Sequence, residues 1–516
     1  MKKEEETNVP NIESQTDQKN RTSTYSHVVK STGLLGGVQF FYILMSIVRN
    51  KLTAIFIGTA GIGLADLYCR TLELLGSTTN FGIAFSAVRR LSALYEEDKT
   101  NKTEVYVRLI RTWTFITAIF GVLVCISFSP LISQLATGTY DHILTFSLLA
   151  PAVFFTTLAG GEIAILKGMR GLKNLALVSA ASALGTVIIT IPIYATIGIT
   201  GVIPVIICTT ALTFGLNLNA TRRLFPYKIS PFNRRFVAKG GHLIRLGSAY
   251  IAAGIIGSAS ELLIRTVIVD SDQTCHMAGL YAAGLTLTVS YARIIFVAMD
   301  ADYFPRLSAA LKNLERANET INQQIDILVL LMAPLLILFA TCLNWIVPIL
   351  YTSDFLEVIP MVLCTLPYMF FKAIYSPIAY LPLSAGKSRL YLCAELMYYV
   401  AFAILVTTGY HYYGLIGAGL GLSAANMVDL TVLPILYRKI FGFKFSTSTL
   451  HRCIIQGVFL VAALTCCGLP IWSGKLISFM LFLLSMRYSW NFLRNETAIT
   501  EKVKMFKEKI TLRRKN

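Results

Sequence analysis

The chain has 516 residues, of which 55% are hydrophobic and only 14% charged, and its mean hydropathy is +0.62. An ordinary soluble domain carries about 25% charged residues, so this composition excludes a soluble fold and places the chain in a bilayer. The formal net charge of +18 would suit nucleic acid, but the basic residues outside the apolar runs concentrate in alternate connections, which argues against that partner.

The first thirty residues are polar and charged with no apolar core, so residues 1–30 are expected to form a disordered cytoplasmic lead, neither a signal peptide nor a span. Apolar runs near the ~20 residues needed to cross the hydrocarbon core follow at 34–57, 67–88, 112–135, 143–166, 174–196 and 200–221. Six more follow at 243–268, 278–300, 327–350, 358–385, 390–410 and 414–437, then a pair at 451–470 and 475–493. Lipid offers no water to satisfy the backbone, so these runs are expected to be helices. The predicted fold is an all-α integral membrane protein of about 14 transmembrane helices. Its units are an N-terminal six-helix bundle over 31–225, a basic cytoplasmic linker over 226–242, a second six-helix bundle over 243–440, a terminal helix pair over 441–494 and a basic cytoplasmic tail over 495–516.

The second half repeats the first with an offset of 216 residues, as from Gly63 to Gly279. Arg49 falls on Arg265, Arg90-Leu91-Ser92-Ala93 on Arg306-Leu307-Ser308-Ala309, Gly198 on Gly414, and Arg222 on Arg438, with a one-residue slip near Gly171 and Gly386. A membrane protein built from two similar halves places its substrate between them and rocks one against the other. The duplication predicts a carrier.

Basic residues cluster in every second connection: 89–111, 167–173, 222–245, 306–316, 387–389 and 438–452. Connections of the other parity, such as 129–142 and 351–357, hold almost none, Lys475 being the exception. This positive-inside pattern puts both termini and the basic connections in the cytoplasm. The ten cysteines are scattered, mostly within spans, and form neither a disulfide framework nor a metal site. Gly386-Lys387-Ser388 ends like a P-loop, but Leu381 stands where the first glycine belongs and a membrane helix precedes it. No cofactor is expected, and uphill transport must draw on an ion gradient (H+ or Na+), the membrane potential or consumption of the product.

Ionisable residues inside spans carry the chemistry, because each costs about 2.5–3.5 kcal/mol or more if it faces lipid. Arg70, Glu73, Ser77 and Asn80 share one face of the second span, and Thr286, Arg293 and Asp300 share the corresponding face of the eighth. Gln39, Tyr42, Ser46 and Arg49 form a stripe on the first span, and Ser258, Glu261 and Arg265 one on the seventh. Spans 1, 2, 7 and 8 are therefore expected to line a shared central cavity. Glu261 with Arg265, and Arg70 with Glu73, are each spaced for a local ion pair, and Lys51 and Asp66 for the interface. Lys372, Glu162, Glu395 and Asp429 are further intramembrane candidates for polar contacts or ion coupling.

Four motifs taken together resemble the Wzx-type O-antigen translocases. They are Thr59-Ala60-Gly61-Ile62-Gly63-Leu64, Asn80-Phe81-Gly82-Ile83, Arg89-Arg90-Leu91-Ser92 and Pro305-Arg306-Leu307-Ser308. Those translocases form the polysaccharide-transport branch of the multidrug/oligosaccharidyl-lipid/polysaccharide (MOP) exporter superfamily. The resemblance implies a V-shaped pair of six-helix bundles and a non-enzymatic flippase. Its implied substrate is an undecaprenyl-diphosphate-linked oligosaccharide of O-antigen or capsule type, moved to the outer leaflet for polysaccharide polymerase and assembly partners. Arg49, Arg70, Arg265 and Arg293 would then face the diphosphate, since guanidinium forks suit phosphate oxygens. Gln39, Asn80, Tyr42 and Tyr291 would face the sugars, and the lipid tail would stay in membrane lipid. Three alternatives stand beside this: a lipid II flippase of the same superfamily, a cation-coupled multidrug exporter, and a membrane polymerase or ligase. The multidrug branch commonly has an acid in the first helix, where this chain has none between Gly33 and Ile57. An enzyme of the last kind would show a large outer loop, and every outer connection here is short.

Overall fold

The computed structural model describes residues 12–96, 100–169, 171–229, 234–271, 274–311, 313–468 and 472–496. Among these the chain is helical with no strand. Helix α1 (Ile12–Thr79) begins inside the lead expected to be disordered, because the chain from Ile12 to Lys30 has no glycine or proline to interrupt it. Residues 1–11 of that lead, and the basic tail from residue 497, lie outside the described residues.

Helix α1 turns at Gly58, where φ is 64° and ψ −166°, a conformation open to glycine alone. Residues 59–66, expected to be a connection, are helical. The second span starts directly after the turn, which satisfies the backbone within the membrane. That span is interrupted in its middle instead. Asn80 to Gly82 break the helix, with φ of 47° at Phe81 and 61° at Gly82, before α2 (Ile83–Glu96) resumes it.

The first bundle continues through α3 (Thr100–Thr137), the short α4 (Ile143–Ser147), α5 (Ala150–Gly168), α6 (Leu172–Ile197) and α7 (Val202–Arg222). The second runs through α8 (Arg234–Ser271), α9 (His276–Leu285), a π-helical stretch at Thr286–Ser290, α10 (Tyr291–Ala310), α11 (Leu314–Leu350), α12 (Ile359–Ala379), α13 (Leu381–Ser384) and α14 (Ser388–Phe441). Nine helical stretches among the described residues are long and apolar enough to cross a membrane. Two of them, Lys173–Arg222 of 50 residues and Arg389–Phe441 of 53, would extend about 75 Å if straight, against ~30 Å of hydrocarbon. Each folds back at a glycine. Gly198 has φ 59° and ψ −137°, and its repeat mate Gly414 has φ 57° and ψ −139°. The duplication read from the letters is thus written in the backbone.

The terminal pair, α15 (Thr447–Cys467) and α16 (Trp472–Glu496), packs on α11. Its anchor is Arg452, which grips Asp326 through Nε–Oδ1 at 2.8 Å and Nη2–Oδ2 at 2.6 Å, while Thr449 Oγ1 donates to Oδ2 at 3.1 Å. Thr341 and Ser478 meet at 2.9 Å further along the same contact. The other side of the pair presents Val458, Leu476 and Trp490 outward, as lipid requires. Removing one partner of such a buried bidentate pair strands the other charge at a cost of about 3–5 kcal/mol. Asp326→Ala is therefore expected to lower the thermal unfolding temperature in detergent and to expose the α14–α15 connection to protease.

Candidate functional site

Where the two bundles meet, each hydrogen bond between described residues lies toward the ends of the helices opposite the basic connections. Lys51 Nζ, from α1, donates to Pro348 O at 2.6 Å and to Tyr351 O, capping the end of α11. Directly after Gly58, Thr59 Oγ1 and His276 Nδ1 are 2.6 Å apart, and His276 Nε2 lies 3.3 Å from Glu357 Oε2. The repeat mates Gly63 and Gly279 cross there. A Cβ on Gly63 would stand 2.6 Å from Gly279 N, and one on Gly279 would collide with the Thr59 carbonyl.

Two turns inside this face lies a network of five charges. Arg265 is 1% exposed. Its Nε donates to Asp66 Oδ2 at 2.6 Å across the bundle boundary, and its Nη1 donates to Glu261 O at 2.9 Å and to the Glu261 carboxylate. Arg70 extends the network on α1, with Nε 3.3 Å from Asp66 Oδ1 and Nη1 2.9 Å from Glu73 Oε2. The Arg265 guanidinium also sits 5.3 Å from the centre of the Tyr281 ring. Its Nη2 is buried with no hydrogen-bond partner. Three carboxylates thus face two guanidinium groups, and Asp66 is the bridge between bundles. The local pairs Arg265–Glu261 and Arg70–Glu73 follow their helical spacing. Asp66, read from the sequence as an interfacial residue, is the one whose partner lies 199 positions away, and nothing local in the sequence signals it.

Arg49 stands apart from this network. It lines a cavity of about 250 Å³ inside the first bundle together with Tyr42, Ser46, Ser179, Ser182 and Asn217. Its one hydrogen bond among described residues is a long 3.3 Å contact with Asn50 Oδ1, and no described carboxylate pairs with it. Asn80 sits at the break in the second span with its Oδ1 buried and unpartnered. Lys372 lies in the second bundle over the rings of Phe296 and Tyr368, at 5.6 and 5.7 Å. The side chains of Gln39, Tyr291, Arg293 and Asp300 lie outside the described residues.

Glu162 is held elsewhere. Near the basic end of the first bundle it receives Arg111 Nε at 2.9 Å, Arg111 Nη2 at 3.1 Å and the Thr221 hydroxyl. Arg111 is itself 1% exposed, and its Nη1 donates to Phe225 O at 3.3 Å and Pro226 O at 2.9 Å. The pair therefore ties α3, α5 and α7 to the start of the linker between bundles. Burial pushes the Tyr227 hydroxyl, in that linker, above its ordinary pKa, with the Glu162 charge adding to the rise. Glu162→Gln leaves Arg111 a buried cation with a weakened partner, and is expected to lower stability in a thermal melt by about 3 kcal/mol or more.

Two bundles related by a sequence repeat, folded back at matching glycines and sealed at one end by an ion-pair network, define a MOP-type transporter fold. The solved structures agree. The lipid II flippase MurJ in an inward closed conformation is similar at a TM-score of 0.67 and 16% identity, over 90% of this chain and 99% of that one. An inward-facing multidrug resistance MATE family transporter gives 0.61 and 14%, over 78% and 94%. A MOP superfamily transporter from Pyrococcus furiosus gives 0.54 and 14%, over 79% and 93%. No curated protein matches the chain in sequence. The family model for polysaccharide biosynthesis proteins matches residues 92–360, and the chain belongs to that family. The Wzx-type resemblance carried by the motifs agrees with both the family and the fold.

Proposed function

We propose that the protein is a flippase that carries an undecaprenyl-diphosphate-linked oligosaccharide repeat unit from the cytoplasmic to the outer leaflet of a bacterial inner membrane. The observation that carries this reading is the arrangement of the arginines. One end between the bundles is sealed through Arg265 and Asp66, while Arg49 lines an interior cavity with no described carboxylate beside it. With the basic connections in the cytoplasm, the end held by Arg265 and Asp66 faces outward. Membership of a polysaccharide biosynthesis family supports a glycan cargo.

In this mechanism the diphosphate enters on Arg49 and competes with Asp66 for Arg265, whose Nη2 already lacks a partner. Reversing a two-state population from about 1:99 to 99:1 takes about 5.5 kcal/mol of differential binding. Charge-assisted hydrogen bonds contribute about 1.5–3 kcal/mol each, so two to four arginine–phosphate bonds suffice, and Arg49, Arg70, Arg265 and Arg293 can supply them. The inside-negative potential adds about 2.3 kcal/mol per negative charge per 100 mV. H+ or Na+ would reset the carrier through the carboxylates of the network, Glu73 and Glu261 among them, and Asn80 would meet the sugar at the helix break. Released glycolipid would pass to polymerase and assembly proteins, and the chain itself would perform no bond chemistry.

The test is leaflet exposure in proteoliposomes, with a membrane-impermeant glycosidase acting on undecaprenyl-diphosphate-linked oligosaccharide. Protein-dependent exposure is expected, and Arg49→Ala should slow it about tenfold to a hundredfold, the loss of one charge-assisted contact, with membrane insertion unchanged. Exposure of lipid II but of no other glycolipid would replace this reading with peptidoglycan precursor transport.

A further inference from the structure

A second cavity, of about 310 Å³, lies within the second bundle between α12 and α14. Six tyrosines and Phe402 line it, together with three carboxylates, Glu261, Glu395 and Asp429, and one ammonium, Lys372. Tyr368 and Tyr398 meet hydroxyl to hydroxyl at 3.3 Å, and Tyr398 stacks on Phe402 with ring centres 5.8 Å apart. Asp429 is only 3% exposed, and its Oδ1 is buried without a partner.

These groups specify a ligand class. Carboxyl oxygens accept hydrogen bonds, so Glu395 and Asp429 in the lining suit hydroxyl donors on the occupant. Aromatic walls call for an apolar face. A pyranose ring offers both, hydroxyl donors at its rim and C–H groups on its faces. The lining opposes the alternatives: three carboxylates against one ammonium repel a diphosphate, and buried charge repels an acyl chain. A compact cation site needs converging ligands, and among the described residues no group of three His, Cys, Asp or Glu is close enough to hold a metal ion. The volume falls at the low end of small-ligand sites, about 300–1,000 Å³.

We infer that this cavity is a carbohydrate subsite, in which Asp429 and Glu395 accept from sugar hydroxyls while the rings of Tyr375 and Tyr398 pack on the sugar face. The inference deepens the flippase reading and rests on it for the origin of the sugar. It extends glycan recognition beyond Asn80 and Tyr42 into the second bundle, while Arg49 in the first meets the anionic headgroup. Glu261 belongs both to the cavity wall and to the Arg265 network, so a sugar seated here touches the seal.

The test uses the full-length protein in detergent and saturation-transfer NMR with free N-acetylglucosamine, glucose, galactose and mannose at millimolar concentration. At least one sugar should receive saturation on its ring C–H protons. Tyr398→Ala and the milder Asp429→Asn, each checked for a monodisperse elution profile, should reduce that signal at least fivefold, and Arg49→Ala should leave it unchanged. Absence of saturation from every sugar overturns the subsite, as does a signal indifferent to both cavity variants. Binding of 22Na+ that Asp429→Asn removes, with no sugar signal, also overturns it in favour of an ion site. Leaflet exposure without sugar saturation leaves the flippase standing and removes the subsite alone. Sugar saturation without leaflet exposure does the reverse.

Discussion

Asp66→Asn is expected to unseal the closed end and to stop transport while the protein still inserts and folds. The substitution preserves the side chain's size but removes the charge that Arg265 meets at 2.6 Å across the bundle boundary. Breaking a buried pair costs about 3–5 kcal/mol, which corresponds to a shift of about a hundredfold or more in the balance between sealed and open forms. Arg265 would keep Glu261 within its own helix, so the loss falls on the contact between bundles and leaves the helix intact. Cys275, which packs against Gly63 at the crossing, reports the change: an impermeant maleimide added from the sealed side should label it faster in the variant. Exchanging the charges as Asp66→Arg with Arg265→Asp should recover little, because the carboxylate introduced on α8 would then face Glu261 one turn away.

Gly279→Val is expected to have an effect as large, by sterics in place of charge. A Cβ at 279 would collide with the Thr59 carbonyl oxygen and approach its carbon to 2.7 Å, and both are backbone atoms that cannot swing aside. Overpacking of this kind costs about 1–3 kcal/mol for a single methyl-sized intrusion, and valine adds two further methyl groups. The sealed conformation is penalised while the open one is untouched, so the carrier should accumulate open at this end and lose transport. Gly63→Val should reproduce the phenotype, since its Cβ meets the backbone of residues 275–279 from the other side. Gly76→Ala is the control, on the same helix with open space around its Cβ, and should transport normally. Normal transport in both valine variants would remove the glycine crossing from the mechanism.

The fold was legible because the bilayer restricts the choices to helices and because the chain states its architecture twice. Gly63 and Gly279 align in the sequence and touch in space; Gly198 and Gly414 align and share one turn geometry. Local pairs such as Arg265–Glu261 were equally legible, since they need only the 3.6-residue period. What the sequence hid depends on tertiary geometry. Asp66 falls opposite Ala282 in the repeat, so no symmetry points to its role as the bridge. The Arg111–Glu162 and Arg452–Asp326 pairs link residues 51 and 126 positions apart. The tyrosine cavity assembles from α8, α12 and α14, whose aromatic residues individually resemble ordinary span packing. The break at Asn80 was obscured for another reason: Gly82 is one glycine among 35, and most of those in spans serve close packing.

In the transport cycle, substrate exchanges a seal at one end of the bundles for a seal at the other. Electron spin resonance distances between paired labels test this directly in a cysteine-less background. One pair, Tyr140→Cys with Leu356→Cys, reports the end opposite the basic connections, and the other, Arg222→Cys with Arg438→Cys, reports the basic end; all four positions are exposed. On addition of undecaprenyl-diphosphate-linked oligosaccharide, the first distance should lengthen as the second shortens, and Asp66→Asn should lengthen the first without substrate. Distances that both stay fixed, or that lengthen together, would contradict alternation between the two bundles.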